Sequence, residues 1–147
     1  MDSWTKGEAL SFAQQKLDEH GLEGWIFKLN TNRRRHGVCK YRVRRIELSV
    51  YALPLGAKTC QDTILHEVAH ALAGHGAHHG PEWRRKALEI GCSGQRCASE
   101  TLAVPSKWVG TCNRCEKEFK YHRRPKYLGC LYEHRKCGGY IAFKKRW

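Results

Sequence analysis

One stretch limits what this chain can fold into more than any other: Thr63-Ile64-Leu65-His66-Glu67-Val68-Ala69-His70-Ala71-Leu72-Ala73, an H-E-x-x-H pattern inside an apolar run. On an α-helix, residues i and i+4 share a face one turn apart, so His66 and His70 offer imidazole nitrogens to one point in space. Glu67 stands beside that point. Ile64, Leu65, Val68, Ala71 and Leu72 predict that the helix is buried, and buried His and Glu side chains require polar partners. A metal ion is the partner that serves both histidines at once. Next to such an ion, Glu67 is placed to take a proton from an attacking water.

The helix is expected to stop at Gly74 or Gly76, and a second to open at Pro81, because proline suits the first helical turn. Between them, His75-Gly76-Ala77-His78-His79-Gly80 is the source of a third ligand. His75 lies five residues past His70, the wrong angular step if the helix continues. His79 stands just before the second helix, and Gly80 after it permits a tight turn back toward the first. The order of preference is His79, then His78, then His75, with Glu89 on the second helix as a rival.

His66-Glu67-Val68-Ala69-His70 followed by His79-Gly80-Pro81-Glu82-Trp83 resembles the SprT-like (Spartan-like) metalloprotease domain, whose third ligand lies in an H-G-x-x-[FW] motif. The likeness extends to Ile46-Glu47-Leu48-Ser49, similar to the strand before the active-site helix, to Asp62–Leu65, and to the C-terminal zinc ribbon from Cys112 onward, about residues 5 to 145 in all. The metzincin pattern is excluded, since Ala73 and Gly76 occupy its last two required positions. The resemblance implies an α+β chain: a zincin-like metalloprotease domain over residues 1–104, with helices packed on a small antiparallel sheet, then a basic zinc ribbon over 105–147. It implies a zinc-dependent endopeptidase with His66, His70 and His79 on a catalytic Zn2+ and Glu67 as catalytic base. It also implies cleavage of DNA-associated proteins and DNA–protein crosslinks, in a form similar to phage or bacterial stand-alone members. No oxyanion-stabilising residue can be chosen from sequence; Tyr51, His75 and His78 are candidates.

Around the motif, residues 5 to 20 read as an amphipathic helix with Leu10, Ala13 and Leu17 on its apolar face. Trp25–Leu29 reads as a strand, Asn30 to Gly37 as a basic turn, and Val38 to Leu53 as one or two strands broken near Arg44-Arg45. Tyr41 and Val43 alternate with Arg42 and Arg44, giving that sheet an apolar and a charged face. Trp83, Ala87 and Ile90 share the apolar face of the second helix, so Trp83 is expected in the core. Cys39, Cys60, Cys92 and Cys97 read as buried or idle thiols.

Val104-Pro105-Ser106 reads as a linker. After it, Cys112-x2-Cys115, then Cys130 and Cys137, suit a structural Zn2+ held by four cysteines. The second pair is irregular: C-x6-C encloses His134, and His134-x2-Cys137 is an alternative that leaves Cys130 free. A module of this size rarely folds without such a staple. The chain carries 27 Lys and Arg against 14 Asp and Glu, and from Lys107 to Trp147 twelve basic residues face three acidic ones. That imbalance favours a polyanionic partner, DNA, and Tyr121 among the charges suits stacking on unpaired bases of single-stranded or junction DNA, whereas Phe119 reads as ribbon core. With no apolar leader between Met1 and Lys16 and no membrane span, the expectation is a monomeric, cytoplasmic, DNA-associated protein of a bacterial cell or phage-infected host, its eight cysteines reduced. The reading from another class is a non-catalytic, zinc-stabilised DNA-binding protein. It leaves Glu67 without a purpose.

Overall fold

Thr5 opens the first helix, α1 (Lys6–Glu19), with a reciprocal cap: its hydroxyl accepts the Glu8 N–H at 3.1 Å, and the Glu8 carboxylate accepts the Thr5 N–H at 3.3 Å. A computed structural model describes residues 3–96, 100–126 and 131–146. The buried face of α1 is Ala9, Ala13 and Leu17, spaced four apart, while Leu10 is exposed. The expected Leu10 face is therefore rotated: small alanines let the helix approach its neighbours closely.

After α1 come β1 (Ile26–Asn30), β2 (Gly37–Lys40) and β3 (Arg45–Ser49), a three-stranded sheet with β3 in the centre. β2 pairs antiparallel with β3, but β1 pairs with it in parallel, Leu29 opposite Leu48. The sheet is thus mixed, not antiparallel as expected. The cause lies in Ser49. Its N–H donates to the His36 carbonyl at 2.7 Å and its hydroxyl to the Asn32 carbonyl at 2.6 Å, so the 31–36 loop is drawn across the end of β3 to its far edge instead of turning back beside β1. The alternation at Tyr41–Arg44 also falls on a turn, not a strand: Tyr41–Val43 is a short 3-10 helix closed by Arg44 at φ 50°.

The helix α2 (Ala57–Ala73) packs on this sheet and on α1, burying Cys60, Ile64, Leu65, Val68 and Ala69. Gly74, at φ 94°, ends it. The next helix, α3 (Pro81–Glu89), starts on its proline and contributes Trp83 and Ala87 to a core cluster with Leu65, Ala69 and Cys92. These elements make one compact unit, Met1–Ala103.

A second unit, Val104–Trp147, holds β4 (Trp108–Cys112), β5 (Glu118–Tyr121), β6 (Tyr132–His134) and β7 (Gly139–Lys145) in an antiparallel sheet ordered β5-β4-β7-β6. Trp108, Cys112 and Ile141 are the buried hydrophobic residues among those described in it. A side chain on Gly110 would meet Ile141 at 2.7 Å, so β4 and β7 approach there only because it is glycine.

Within the first sheet Glu47 is buried yet charged. Asn30 donates to it at 3.0 Å, Lys40 pairs with it at 2.9 Å and Arg45 at 3.5 Å. Burial raises this carboxyl, but the hydrogen bonds from Asn30 and Lys40 outweigh burial and hold it below its ordinary value. A depressed folded pKa means that the stabilisation is present above the unfolded value and lost as pH falls through the folded one. Glu47→Gln is expected to cost about 1–3 kcal/mol in urea denaturation at pH 7, with the gap to the parent chain closing in acid. A gap that stays constant down to low pH would show that shape, not the ionised carboxylate, is what the sheet needs.

Candidate metal centre

Helical spacing brings His66 and His70 together, and the turn beyond α2 brings His79 to them. The Nε2 atoms of His66 and His79 lie 3.0 Å apart, those of His70 and His66 3.2 Å, and those of His70 and His79 3.1 Å. Such a triangle has no hydrogen-bonded solution for three neutral rings, each of which owns a single N–H. It does suit a cation. The separations are close to the edge of about 3.3 Å expected for nitrogens placed tetrahedrally about 2.0–2.1 Å from zinc. Burial, and then the charge of His79 on His66 and of His66 on His70, push these two down to about 4, and burial followed by Arg96 lowers His79. The rings are therefore neutral at physiological pH, with lone pairs available to a metal.

The turn that delivers His79 differs from the sequence expectation in one detail. The left-handed residue is His78, at φ 48°, not Gly80, which is extended. Gly80 matters for space instead: a Cβ there would sit 3.0 Å from the Ala77 carbonyl. His75 and His78 line the same cleft but stand outside the triangle. Trp83 supports all three rings, its own ring 4.6 to 5.3 Å from theirs, and its indole N–H donates to the His66 carbonyl at 3.2 Å. It is both core and footing for the site.

Glu67 lies beside the triangle, with burial pushing its carboxyl up to about 8 and Arg35 countering that. A bound cation acts in the same direction as Arg35 and favours the carboxylate. The cleft holding these groups has a volume of about 620 Å³. One wall is β2, through Gly37, Val38 and Cys39; another is Tyr41 with His75 and His78; Arg34, Arg35 and Arg96 stand around it. A Cβ on Gly37 would meet Thr63 at 2.9 Å and Glu67 at 3.1 Å, so β2 reaches α2 only because residue 37 lacks a side chain.

Two contributions were not legible from the motif. Asp62 receives the Ser93 N–H at 2.7 Å and its hydroxyl at 2.8 Å. This pins the segment after Cys92, where the Gln95 backbone accepts a hydrogen bond from the His66 ring. Such outer contacts fix a ligand's tautomer and orientation. The others are Cys39 and Tyr41. Cys39 read as incidental, yet it lines the cleft beside Glu67. Cys60 and Cys92 are buried away from it, and Cys97 lies outside the described residues. Tyr51, an oxyanion candidate from sequence, is not among the cleft residues.

In the second unit, Cys112, Cys115, His134 and Cys137 bring their ligand atoms within 4.8 Å of one another. His134 Nδ1 is 3.3 Å from the Cys115 sulfur and 3.1 Å from that of Cys137. Two turns of equal spacing make the cluster: Cys112 to Cys115 with Glu116 at φ 63°, and His134 to Cys137 with Gly138 at φ 74°. Backbone N–H groups of Cys115 and Arg114 bring the Cys112 thiol down to about 6, toward the thiolate a metal binds. Gly139 is obligatory, since a Cβ would lie 2.6 Å from the Cys112 sulfur. Cys130 lies outside the described residues. Three thiols and an imidazole are a ligand set zinc accepts.

Two clusters that could hold a metal ion, one of them three imidazoles beside a carboxylate in an open cleft, are what a metal-dependent hydrolase requires. The family model described as SprT-like family matches residues 8–103, and the chain belongs to that family, which is of metalloprotease type. The match ends where the first unit ends. A comparison with curated proteins finds no match. Chelator-stripped protein is expected to take up about two zinc ions by mass spectrometry under native conditions. His70→Ala should lose one of them, and His79→Ala should weaken that same ion far more than His75→Ala or His78→Ala. Damage centred on His75 would move the third ligand.

Proposed function

We propose that the chain is a zinc-dependent endopeptidase with a zincin-like catalytic unit, acting on DNA-associated proteins and DNA–protein crosslinks. The observation that carries the catalytic part is the 3.0–3.2 Å imidazole triangle with Glu67 beside it in an open cleft. His66, His70 and His79 hold the ion. When bound, zinc polarises a carbonyl and makes water more acidic. Glu67 takes the proton of the attacking water and passes it to the leaving amine. β2 is an edge strand of its sheet, and its Gly37–Cys39 segment borders the cleft. Its unpaired backbone groups suit an extended peptide added as a further strand.

The second unit is read as a zinc ribbon with Cys112, Cys115 and Cys137 as ligands and His134 as the fourth, in preference to Cys130. Its basic surplus supports DNA binding. Phe119 packs edge-on against His134 at 5.2 Å, a structural position, whereas Tyr121 is 49% exposed among Lys120, His122, Arg123 and Arg124. Tyr121 is the stacking residue for unpaired bases. Tyr127, a further aromatic residue of this basic stretch that could stack on bases, lies outside the described residues. Among the described residues no helix is long and apolar enough to cross a membrane.

Glu67→Gln is expected to lower cleavage of casein, or of the chain itself, by about 10²–10⁴-fold with the zinc retained. Equal cleavage by both proteins would remove the peptidase reading. For DNA, the log–log salt slope on duplex falls by about 0.9 for each phosphate that is no longer neutralised. Arg123→Gln with Arg124→Gln should flatten it, and Tyr121→Ala should weaken single-strand binding with the zinc content unchanged. Unaltered affinity in both variants would leave the second unit a structural module only.

A further inference from the structure

Hydrolysis of a peptide bond builds negative charge on the carbonyl oxygen, and an enzyme gains most from a donor already aimed at that place. Resting on the peptidase reading above, we infer that Tyr41 is a catalytic residue whose hydroxyl donates a hydrogen bond to the developing oxyanion. Outside the triangle, the side chains bordering the cleft leave two half-buried N–H or O–H donors to choose between, Tyr41 and His36, and Tyr41 is the one that two aromatic rings hold in place. Thr63 already donates its hydroxyl to the Thr59 carbonyl at 3.0 Å. Gln95, Arg34, Arg35, Arg96 and His78 are exposed, so long or mobile groups would have to be ordered for each turnover, and the His75 ring lies against Tyr41 itself.

Tyr41 is different on three counts. Its ring is half-buried and held edge-on from two sides, by Trp25 at 6.3 Å and His75 at 5.1 Å. It follows β2 immediately, so it flanks the strand edge along which an extended peptide is read to lie. Its hydroxyl rests on the Cys39 sulfur, close enough to Glu67 for their charges to interact. Sulfur is a weak acceptor, so exchanging it for a carbonyl oxygen costs little. Burial, and then Cys39, push the phenol up to about 12, which keeps it a protonated donor through the working pH range.

The step balances without any added reagent. Water oxygen bonds to the carbonyl carbon as the π pair moves onto the carbonyl oxygen, and Glu67 receives the water proton. Tyr41 donates a hydrogen bond to that oxygen and keeps its proton. As the pair returns, the C–N bond breaks and the amine departs with the proton from Glu67.

The test uses the full zinc-loaded chain. Casein cleavage is first compared between the parent protein and Glu67→Gln; no Glu67-dependent cleavage would remove the peptidase reading itself. Where cleavage is present, Tyr41→Phe is expected to lower kcat by about 10²–10³-fold with KM within about twofold and zinc content unchanged. A phosphinic analogue of a mapped casein cleavage site, which mimics the tetrahedral oxyanion, should bind Tyr41→Phe at least about tenfold more weakly by calorimetry. The uncleaved parent peptide should bind Glu67→Gln equally with and without the Tyr41 change. Parent-like kcat and analogue affinity in Tyr41→Phe overturn the proposal. Equal weakening of analogue and parent peptide also overturns it, because the hydroxyl would then serve ground-state binding alone.

Discussion

Three ring nitrogens held about 3 Å apart form the constraint on which the first unit depends. Neutral imidazoles have one N–H each and cannot satisfy one another in a triangle, so the arrangement persists because the surroundings enforce it, and it is one that suits a cation. The enforcement is visible in parts with no ligand role. Gly74 ends α2 one residue beyond its last apolar turn, His78 accepts a left-handed conformation, Trp83 lies against all three rings, and the Asp62–Ser93 contact fixes the segment that orients His66. Strain at His78 is tolerable because α2 and α3, locked by the shared Leu65, Ala69 and Trp83 core, determine both ends of the turn.

The same economy shapes the cleft. Ser49 ties down the crossover loop, the crossover makes β2 an edge strand, and glycine at 37 lets that edge come against α2 beside Glu67. An edge strand is ordinarily a hazard for aggregation. Here the edge borders the cleft that holds the imidazole triangle, and in the proposed reading that edge receives a substrate strand.

The second unit meets its constraint differently. Among its described residues few side chains are buried and the sheet alone gives little core, whereas four ligand atoms converge where a bound metal would add cohesion. Glycines at 110 and 139 follow from this closeness, each occupying a place where any side chain would collide with a neighbouring strand or a ligand sulfur.

Much of the candidate site was legible in the sequence because its determinants are local. The i, i+4 spacing of His66 and His70, the proline opening α3, and Cys112-x2-Cys115 each fix geometry over one turn of chain, which periodicity and backbone chemistry alone decide. His79 was legible as the histidine that joins His66 and His70, but for an incomplete reason, since the residue that reverses the chain is His78. What only the tertiary structure decided involves contacts between distant segments. The parallel pairing of β1 with β3 depends on Ser49 reaching residues 32 and 36, and the latch on His66 depends on Asp62 meeting Ser93. Cys39 and Tyr41 joined the cleft because β2 and the turn after it were brought against α2, and His134 joined the cysteines because β6 and β7 set its turn opposite the first one. No pattern along the chain encodes such meetings. They follow from which buried surfaces close on one another, and that is settled only when the whole unit packs.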